Sequence, residues 1–184
     1  MIMALWYAVQ TISGLEEKTR KKLDEAGFEL ESFLPQRELF IRRKGKTKLV
    51  KEPLFPGYFF IKSPHPLQKD DLKKLMQQAG HVGLQKGIIK ILGSENETVE
   101  FSPVSEDEIA PILELTGQKQ TITFSKFLKE GATVTIIEGP LVGKEFIIRK
   151  VNPRKKRITI ELLFMGERKQ LDVGGEMVKV IDHA

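Results

Sequence analysis

The chain has 184 residues, of which 40% are hydrophobic and 30% charged, and its formal net charge is +5. These values are typical of a soluble globular protein and argue against a disordered or a membrane-spanning chain. The absence of cysteine excludes disulfides and thiolate metal sites and fits a reducing, cytoplasmic location. The run Met1–Val9 lacks a cationic start and a small-residue cleavage pattern, so we expect no signal peptide.

Positive charge is concentrated towards the end of the chain. Residues 1–117 carry 17 basic and 17 acidic side chains, whereas residues 118–184 carry 13 and 8. Six cations fall within the nine residues Arg149–Arg157, a density that attracts polyanions such as nucleic acid or acidic protein surfaces. A second basic run, Arg37–Glu52, holds seven cations and two carboxylates. A solvated surface without a partner is the alternative interpretation of each run.

The first predicted elements are a strand and a helix. Trp6–Thr11 has the alternation of a strand, and Ser13 and Glu16 have the Ser-x-x-Glu spacing with which a helix begins. The helix is predicted to run to about Ala26 and to end at Gly27, because glycine tolerates the left-handed conformation of a helix C-terminus.

Strands and a second helix are predicted over the next sixty residues. Two extended segments, Leu30–Arg43 and Leu49–Lys62, flank a basic hairpin tip at Lys44–Lys46. Apolar residues at helical spacing predict a helix over Leu72–Ala79, and Val82–Leu92 has strand character. This order of elements predicts an antiparallel sheet with helices packed on it, an α+β domain.

The remaining chain is predicted to hold one short helix and then a small β-barrel. A capping-box spacing begins the helix at Ser105, and the polar segment 116–129 is expected to be a linker that partly docks. Turn signals at Asn152-Pro153, Gly166 and Gly174-Gly175 separate short β-rich runs, and closure into a barrel removes the exposed edges of so short a β chain. The predicted strands are Val134–Glu138, Phe146–Val151, Arg157–Phe164, Lys169–Val173 and Met177–Ile181.

The sequence contains no pattern typical of a catalytic site. His65, His81 and His183 are scattered without metal-ligand spacing. The segment Gly139–Glu145 superficially resembles a phosphate loop, but it is one residue short and has a glutamate where a magnesium-binding hydroxyl is needed. Carboxylates at Glu106–Glu108 suit a helix N-terminus, where they complement the macrodipole. We therefore expect no enzyme activity, no bound metal and no cofactor.

An aromatic block, Pro53–Ile61, is more informative. Because successive side chains of a strand alternate between faces, Tyr58 and Phe60 are predicted to share one face, and Phe59 and Ile61 the other. Two interpretations stay open at this point. Both faces are buried, or one is an exposed aromatic groove that receives a hydrophobic helix of a partner.

Several segments taken together resemble the NusG family of transcription elongation factors. The resemblance covers nearly the whole chain, with an N-terminal and a C-terminal signature in order. It implies an α+β fold with an N-terminal NGN domain over residues 1–115, a linker over 116–129 and a C-terminal KOW β-barrel over 130–184. The segments that carry it are Trp6–Thr11 with the following Gly-Leu-Glu turn, Pro53–Phe60, Pro103–Glu108, Glu130–Gly131, Val134–Gly143, Gly166–Arg168 and Leu171.

The resemblance implies partners and residues that bind them. In this family the NGN domain binds RNA polymerase through an aromatic pocket and suppresses pausing, and the KOW domain recruits other factors. The expected partners are RNA polymerase, upstream or non-template DNA and a nascent RNA hairpin, for a cytoplasmic monomer without membrane contact. The predicted polymerase-binding residues are Trp6, Tyr7, Phe55, Tyr58 and Phe60. The predicted DNA-contacting residues are Arg42, Arg43, Lys44, Lys46 and Lys48.

Two departures point within the family to its specialised antitermination paralogues, RfaH and especially LoaP. Phe146 stands where the family usually has glycine, and Pro153–Arg157 is unusually basic. Resemblance to LoaP implies a KOW domain that contacts a structured leader RNA. The alternatives are a housekeeping NusG whose KOW domain binds a termination factor or ribosomal protein, and a ribosome-associated structural KOW protein. The predicted RNA-binding residues are Arg149, Lys150, Arg154, Lys155, Lys156 and Arg157.

Overall fold

The computed structural model describes residues 4–25, 27, 29–68, 70–71, 74, 88–91 and 102–178. These residues form two compact units. The first unit holds the described residues up to Leu34 together with those from Phe55 to Ile109. The second unit holds Pro35–Leu54 and the described residues from Ala110 onwards.

The described elements are mostly strands, with two α-helices. In chain order they are β1 (Leu5–Thr11), α1 (Glu16–Glu25), β2 (Glu31–Phe33), β3 (Gln36–Arg43), β4 (Lys46–Pro53), β5 (Tyr58–Ser63), β6 (Ile88–Ile91), α2 (Glu106–Thr116), β7 (Thr121–Ile122), β8 (Ser125–Glu130), β9 (Thr133–Glu138), β10 (Ile148–Asn152), β11 (Arg157–Phe164) and β12 (Glu167–Met177). Short 3-10 turns precede β7 and β10. The predicted α+β fold class is confirmed.

The first unit is built on a four-stranded antiparallel sheet in the order β2-β5-β1-β6. Tyr7 and Val9 of β1 face the same way as Phe59 and Ile61 of β5, and this face packs on Leu23 of α1. The opposite face of the sheet also carries buried apolar residues, among them Ala8 and Phe60.

The helix α2 begins where its capping box predicts, whereas α1 begins at Glu16, three residues after Ser13, without the predicted capping box. At the start of α2 the Glu108 carboxylate accepts a hydrogen bond from the Ser105 backbone N–H at 3.4 Å, as the capping-box spacing requires. Before α1 the buried Glu16 accepts from the backbone N–H of Gly14 at 2.8 Å. The start of α2 is therefore fixed by local sequence, whereas the start of α1 also depends on a contact of Glu16 with the distant Gly57.

The basic hairpin belongs to the second unit. Strands β3 and β4 pair over their whole length, from Gln36 opposite Pro53 to Arg43 opposite Lys46, and β7 adds to β3 in parallel. The tip lies at Lys44–Gly45, as predicted from the sequence.

The C-terminal sheet has five strands in the order β10-β11-β12-β8-β9. Its strand β12 continues through Gly174 and Gly175, so the turn predicted there is wrong. A Cβ at Gly174 would lie 2.6 Å from the ring of Phe124, and one at Gly175 only 2.3 Å from Ile158. Glycine at these positions permits close packing within a strand instead of making a turn.

Residues 116–129, expected to be a linker, carry regular structure. Ile122 of β7 and Phe127 of β8 are fully buried, and β8 pairs with both β9 and β12. Apolar residues in this polar segment therefore serve as strand residues of the second unit. The predicted last strand, Met177–Ile181, contributes Met177 to β12 and otherwise lies outside the described residues.

Two further predictions fall largely outside the described residues. Most of the helix predicted over 72–79 lies there, and so does the strand predicted over 82–92 apart from β6. In the described part of the chain no helix is long and apolar enough to cross a membrane.

Candidate functional site

The first candidate surface is one face of the sheet in the first unit. Because side chains alternate along β1, Trp6 and Tyr7 lie on opposite faces. Tyr7 is buried in the core with Phe59 and Leu23, and its hydroxyl accepts a hydrogen bond from the Leu67 backbone N–H at 3.1 Å. The structure therefore does not bring Tyr7 together with the other residues predicted to bind polymerase.

The opposite face carries a chain of aromatic contacts. The rings of Trp6 and Phe33 meet edge to face with centroids 5.6 Å apart, and the ring of Phe33 lies 5.9 Å from that of Phe60. The ring of Phe55 meets Phe60 edge to face at 6.4 Å, and strand alternation places Tyr58 on the same face as Phe60. We call these five residues the aromatic face.

The aromatic face has an enclosed part and an accessible part. Phe60 and Phe55 are 0% and 4% exposed, whereas Trp6 and Tyr58 are half-buried. The Lys62 ammonium lies 5.7 Å from the centre of the Trp6 ring, a cation–π distance. A partner can therefore reach Trp6, which packs against the buried ring of Phe33, and Tyr58, which lies on the same face.

A buried carboxylate fixes the loop that carries Tyr58. Glu16, only 3% exposed, accepts a hydrogen bond from the Gly57 backbone N–H at 2.7 Å. The carbonyl of Gly57 in turn accepts from the Thr11 N–H at 2.8 Å. Gly57 has a φ of +86°, a conformation that glycine adopts without a Cβ penalty. These bonds hold the start of β5 against β1.

Phe33 is the member of the aromatic face that sequence reasoning missed. It lies directly opposite Phe60 in the pairing of β2 with β5. The apolar Phe33-Leu34 pair was visible as part of an extended segment. The sequence carries no signal for which strand β2 joins, so its contact with Phe60 could not be predicted.

The second candidate surface is the hairpin tip. Lys44 and Gly45 form the turn with φ values of 49° and 77°, and the five predicted DNA-contacting cations are all exposed. Arg43 and Lys46 are directly opposite each other, so they share a face, whereas Arg42 lies on the other face. This basic face borders a groove of about 590 Å³. The residues that line it include Ile41, Arg43, Lys44, Lys46, Lys48 and Val50.

The third candidate surface is the turn between β10 and β11. Lys150, Arg154 and Lys155 are exposed there, and none of them forms an ion pair with another residue in the described part of the chain. The Asn152 side-chain oxygen accepts a hydrogen bond from the Lys155 backbone N–H at 3.0 Å. A further bond, from the Lys156 N–H to the carbonyl of Pro153, closes the turn.

The other three predicted RNA-binding cations already have protein partners. Arg149 lies 3.1 Å from the Glu161 carboxylate, and the Lys156 ammonium lies 2.6 Å from Glu176. Lys156 also sits 5.1 Å above the centre of the Phe40 ring. The Arg157 guanidinium donates to the Phe40 carbonyl at 2.8 Å. Three of the six predicted cations thus have protein partners, and of these three Arg149 is still exposed.

Arg37, the first cation of the basic run Arg37–Glu52, is bonded within the protein. Its guanidinium donates to the Asp172 carbonyl at 2.8 Å, and burial lowers its pKa from the ordinary value. Two buried guanidinium nitrogens, Nε of Arg37 and Nη1 of Arg157, have no hydrogen-bond partner among the described residues. The hydrogen-bond partners of both arginines are backbone carbonyls far away along the chain, so no sequence motif predicts these contacts.

The described residues offer no metal site. No group of three or more histidine, aspartate or glutamate side chains in that part of the chain could hold a metal ion. His65 lies in the bend after β5, and His81 and His183 lie outside the described residues.

The chain is similar to proteins of one family. The model of the family described as NusG, transcription termination factor nusG, matches residues 4–113. The transcription termination/antitermination protein NusG of Thermus thermophilus is 27% identical over 179 residues, which cover 91% of this chain and 94% of that protein. The protein of the same name from Streptococcus pyogenes serotype M3 is 25% identical, covering 85% and 86%.

One solved structure has a similar fold. It is described as domain interaction in Thermotoga maritima NusG, and it aligns with a TM-score of 0.52 over 94% of each chain. At 21% sequence identity this likeness concerns the fold alone.

Proposed function

The chain belongs to the NusG family, and on that premise we propose that it is a non-enzymatic transcription factor that binds RNA polymerase and suppresses pausing and termination. The observation that carries this proposal is the family match over residues 4–113. Full-length relatives named transcription termination/antitermination protein NusG support it.

Polymerase binding is assigned to the aromatic face. Its accessible rings lie on a face of buried rings, where Trp6 packs against Phe33 and Phe33 against Phe60, so little side-chain freedom is lost when a partner packs there. Rigid aromatic side chains with limited exposure are typical anchors of protein interfaces. Tyr7 is left out of this assignment because it faces the core.

The test of this assignment is polymerase affinity. Tyr58→Ala and Trp6→Ala each remove an anchor worth about 2 kcal/mol, or roughly a thirtyfold loss of affinity. Ile137→Ala, which truncates an exposed apolar side chain of β9, is the control and should bind like the parent. If neither aromatic variant weakens binding of the folded chain to core polymerase, the assignment is wrong.

The hairpin cations are proposed to contact DNA. An exposed basic face at a hairpin tip can reach phosphates, which position a protein on DNA without reading its sequence. Arg43 and Arg42 give a matched pair, since they are adjacent and equally charged but lie on opposite faces of β3. Arg43→Glu should weaken salt-sensitive DNA binding more than Arg42→Glu does. Equal effects would refute the assignment of the contact to one face.

RNA contact is proposed for the turn between β10 and β11. Arg154 and Lys155 support it, because they are exposed in a turn held by Asn152, and the exposed Lys150 lies in the strand that leads into this turn. Phosphate contacts by such cations give affinity that falls as salt rises. Arg154→Ala should therefore weaken binding of the full chain to a structured RNA, and it should reduce the salt dependence.

The same turn supports the finer proposal that the protein is a specialised antitermination paralogue. Three exposed cations in and beside a turn suit an RNA ligand. In the housekeeping alternative this region binds a termination factor or ribosomal protein instead. Absence of RNA binding by the full chain at moderate salt would favour that alternative. Equal binding of a structured RNA and a scrambled RNA would reduce the contact to non-specific electrostatics.

A further inference from the structure

An exposed aromatic residue and two arginines line one cleft of the second unit. Phe146 is 75% exposed, an unusual position for so large an apolar side chain. It lies in the 3-10 turn just before β10. No part of the aromatic face or of the turn cations includes it, so the functions proposed above leave it unexplained.

Arg149 is held by two hydrogen bonds, one of which is to the backbone of Phe146. Its guanidinium donates to the Phe146 carbonyl at 2.9 Å and to the Glu161 carboxylate at 3.1 Å. The pairing of β10 with β11 shifts register between Ile148 and Lys150, so Arg149 is the bulged residue. A β-bulge re-aims a side chain, and here the re-aimed side chain is an arginine.

A second arginine shares the same carboxylate. The Arg168 guanidinium lies 3.1 Å from the Glu161 oxygen that also binds Arg149. These two partners lower the pKa of Glu161 to about 2, so the carboxylate stays charged and keeps both guanidinium groups in place. The three side chains together carry one net positive charge. Arg168 lies directly opposite Leu163 in the sheet, which adds an apolar side chain to the same surface.

These residues border a cleft of about 500 Å³. Its volume is in the range of small-molecule sites, about 300–1,000 Å³. The walls combine apolar surface with three cations and two carboxylates, Glu161 and Glu114, of which Glu114 lies 2.8 Å from the Lys144 ammonium. They include Lys144, Phe146, Ile147, Arg149, Leu163 and Arg168.

We propose that this cleft binds an unpaired nucleotide of RNA, with the base stacked on Phe146 and the flanking phosphates held by Arg149 and Arg168. Every nucleobase has a flat face that stacks on an aromatic side chain, and arginine is suited to both phosphates and bases. A base inside a duplex has no free face, so the ligand is a loop or a single strand. A nucleotide is both aromatic and anionic, so it suits an exposed ring with a surplus of positive charge better than a neutral apolar peptide does.

The assignment to RNA rests on the RNA contact proposed for the adjacent turn. Lys150, one residue beyond Arg149, belongs to those turn cations, so one RNA can engage both sites. The turn would then bind phosphates of the stem, and the cleft would bind a base of the loop. With both contacts, the turn and the cleft together would bind RNAs that have unpaired bases more tightly than plain duplexes.

The experiment uses the full chain and two RNA stem-loops of the same sequence. One carries the fluorescent base 2-aminopurine in an adenosine loop, and the other carries it in the stem. Binding to the parent should quench the loop probe by stacking and leave the stem probe nearly unchanged. The parent should bind the stem-loop more tightly than a blunt duplex of the stem or a DNA stem-loop of the same sequence.

Substitutions at Phe146 separate stacking from simple apolar contact. Phe146→Ala and Phe146→Leu should both lower affinity for the stem-loop, on the order of tenfold, and abolish the loop quenching, whereas Phe146→Trp should retain both. Val142→Ala, which truncates another exposed apolar residue of the same unit, should bind like the parent. Because Phe146 is largely exposed, these variants are expected to fold, and their circular dichroism serves to verify this.

Four results would overturn the proposal. If Phe146→Ala binds RNA as tightly as the parent, the ring does not contribute to RNA binding. If Phe146→Leu keeps both affinity and quenching, the contact is apolar and not stacking, as at a protein-binding patch. Tighter binding of the DNA stem-loop refutes the assignment to RNA. If the parent binds no RNA, the RNA contact of the proposed function fails as well. Loss in Phe146→Ala alone, with Arg154→Ala unaffected, would instead overturn only the turn assignment.

Discussion

The aromatic ring of Phe60 allows the strongest test of the packing in the first unit. Phe60 is fully buried and contacts the rings of Phe33 and Phe55. Phe60→Ala should lower the free energy of unfolding by about 3–5 kcal/mol, the cost of removing a buried ring and leaving a cavity. This loss is a large share of the 5–15 kcal/mol typical of a folded domain. Phe60→Leu keeps most of the volume and should cost less than about 1.5 kcal/mol.

The chain contains its own probe for this measurement. Trp6 is the single tryptophan, and its ring lies 5.6 Å from that of Phe33 on the same face of the sheet. Urea unfolding followed by Trp6 fluorescence therefore reports on the first unit. A loss below about 1 kcal/mol for Phe60→Ala would refute the burial of this ring and the supporting role given to it. Tyr58→Ala, at a half-buried position, should unfold near the parent's midpoint, so its effect on polymerase binding can be interpreted directly.

Three further predictions concern stability and titration. The pKa of Glu161 is lowered to about 2 by its arginine partners, so its stabilising effect is present above the ordinary glutamate range and is lost as the pH falls towards 2. An NMR titration should show this value in the parent and a higher one in Arg168→Ala; an unchanged value would refute the pairing. Gly175→Ala should destabilise the second unit by about 1–3 kcal/mol, because the new methyl group overlaps Ile158, and thermal unfolding equal to the parent's would contradict this packing. Glu16→Ala should cost about 1–3 kcal/mol, because two turn amides lose their acceptor, and a change below 0.5 kcal/mol in urea unfolding would show that water replaces the carboxylate.

The sequence predicts those elements that depend on local chemistry. The strand at β1, the helix that begins near Ser105 and the hairpin tip at Lys44–Gly45 all follow from spacing and turn residues within a few positions. The α+β fold class follows from their order. Each of these features is determined by neighbours in the chain, so no knowledge of tertiary contacts was needed.

Features that depend on distant contacts could not be predicted. Gly174 and Gly175 have the composition of a turn, and only the proximity of Phe124 and Ile158 explains their place inside a strand. The polar segment before β9 supplies β8, because its few apolar side chains find buried positions.

The candidate sites show the same limit. Charge density alone predicts a patch of six cations. In the structure the Lys156 ammonium bonds to Glu176 of β12, about twenty residues away along the chain. The Arg157 guanidinium donates to the Phe40 carbonyl of β3, more than a hundred residues away. The aromatic block predicted an interaction surface, but strand alternation in the observed register assigns Tyr7 to the core. The sequence marks Phe146 only as a departure from the family pattern, because the solvent exposure of a side chain cannot be deduced from the identity of one residue.

In the proposed function this chain binds transcribing RNA polymerase with the aromatic face and binds a structured RNA with the turn between β10 and β11. The most direct measurement is readthrough of an intrinsic terminator in transcription with purified polymerase, on templates with and without an upstream leader that encodes an RNA hairpin. The parent chain should raise readthrough more on the template with the leader, and Tyr58→Ala should abolish the effect on both. Readthrough unaffected by the parent chain, or raised equally by Tyr58→Ala, would contradict the account.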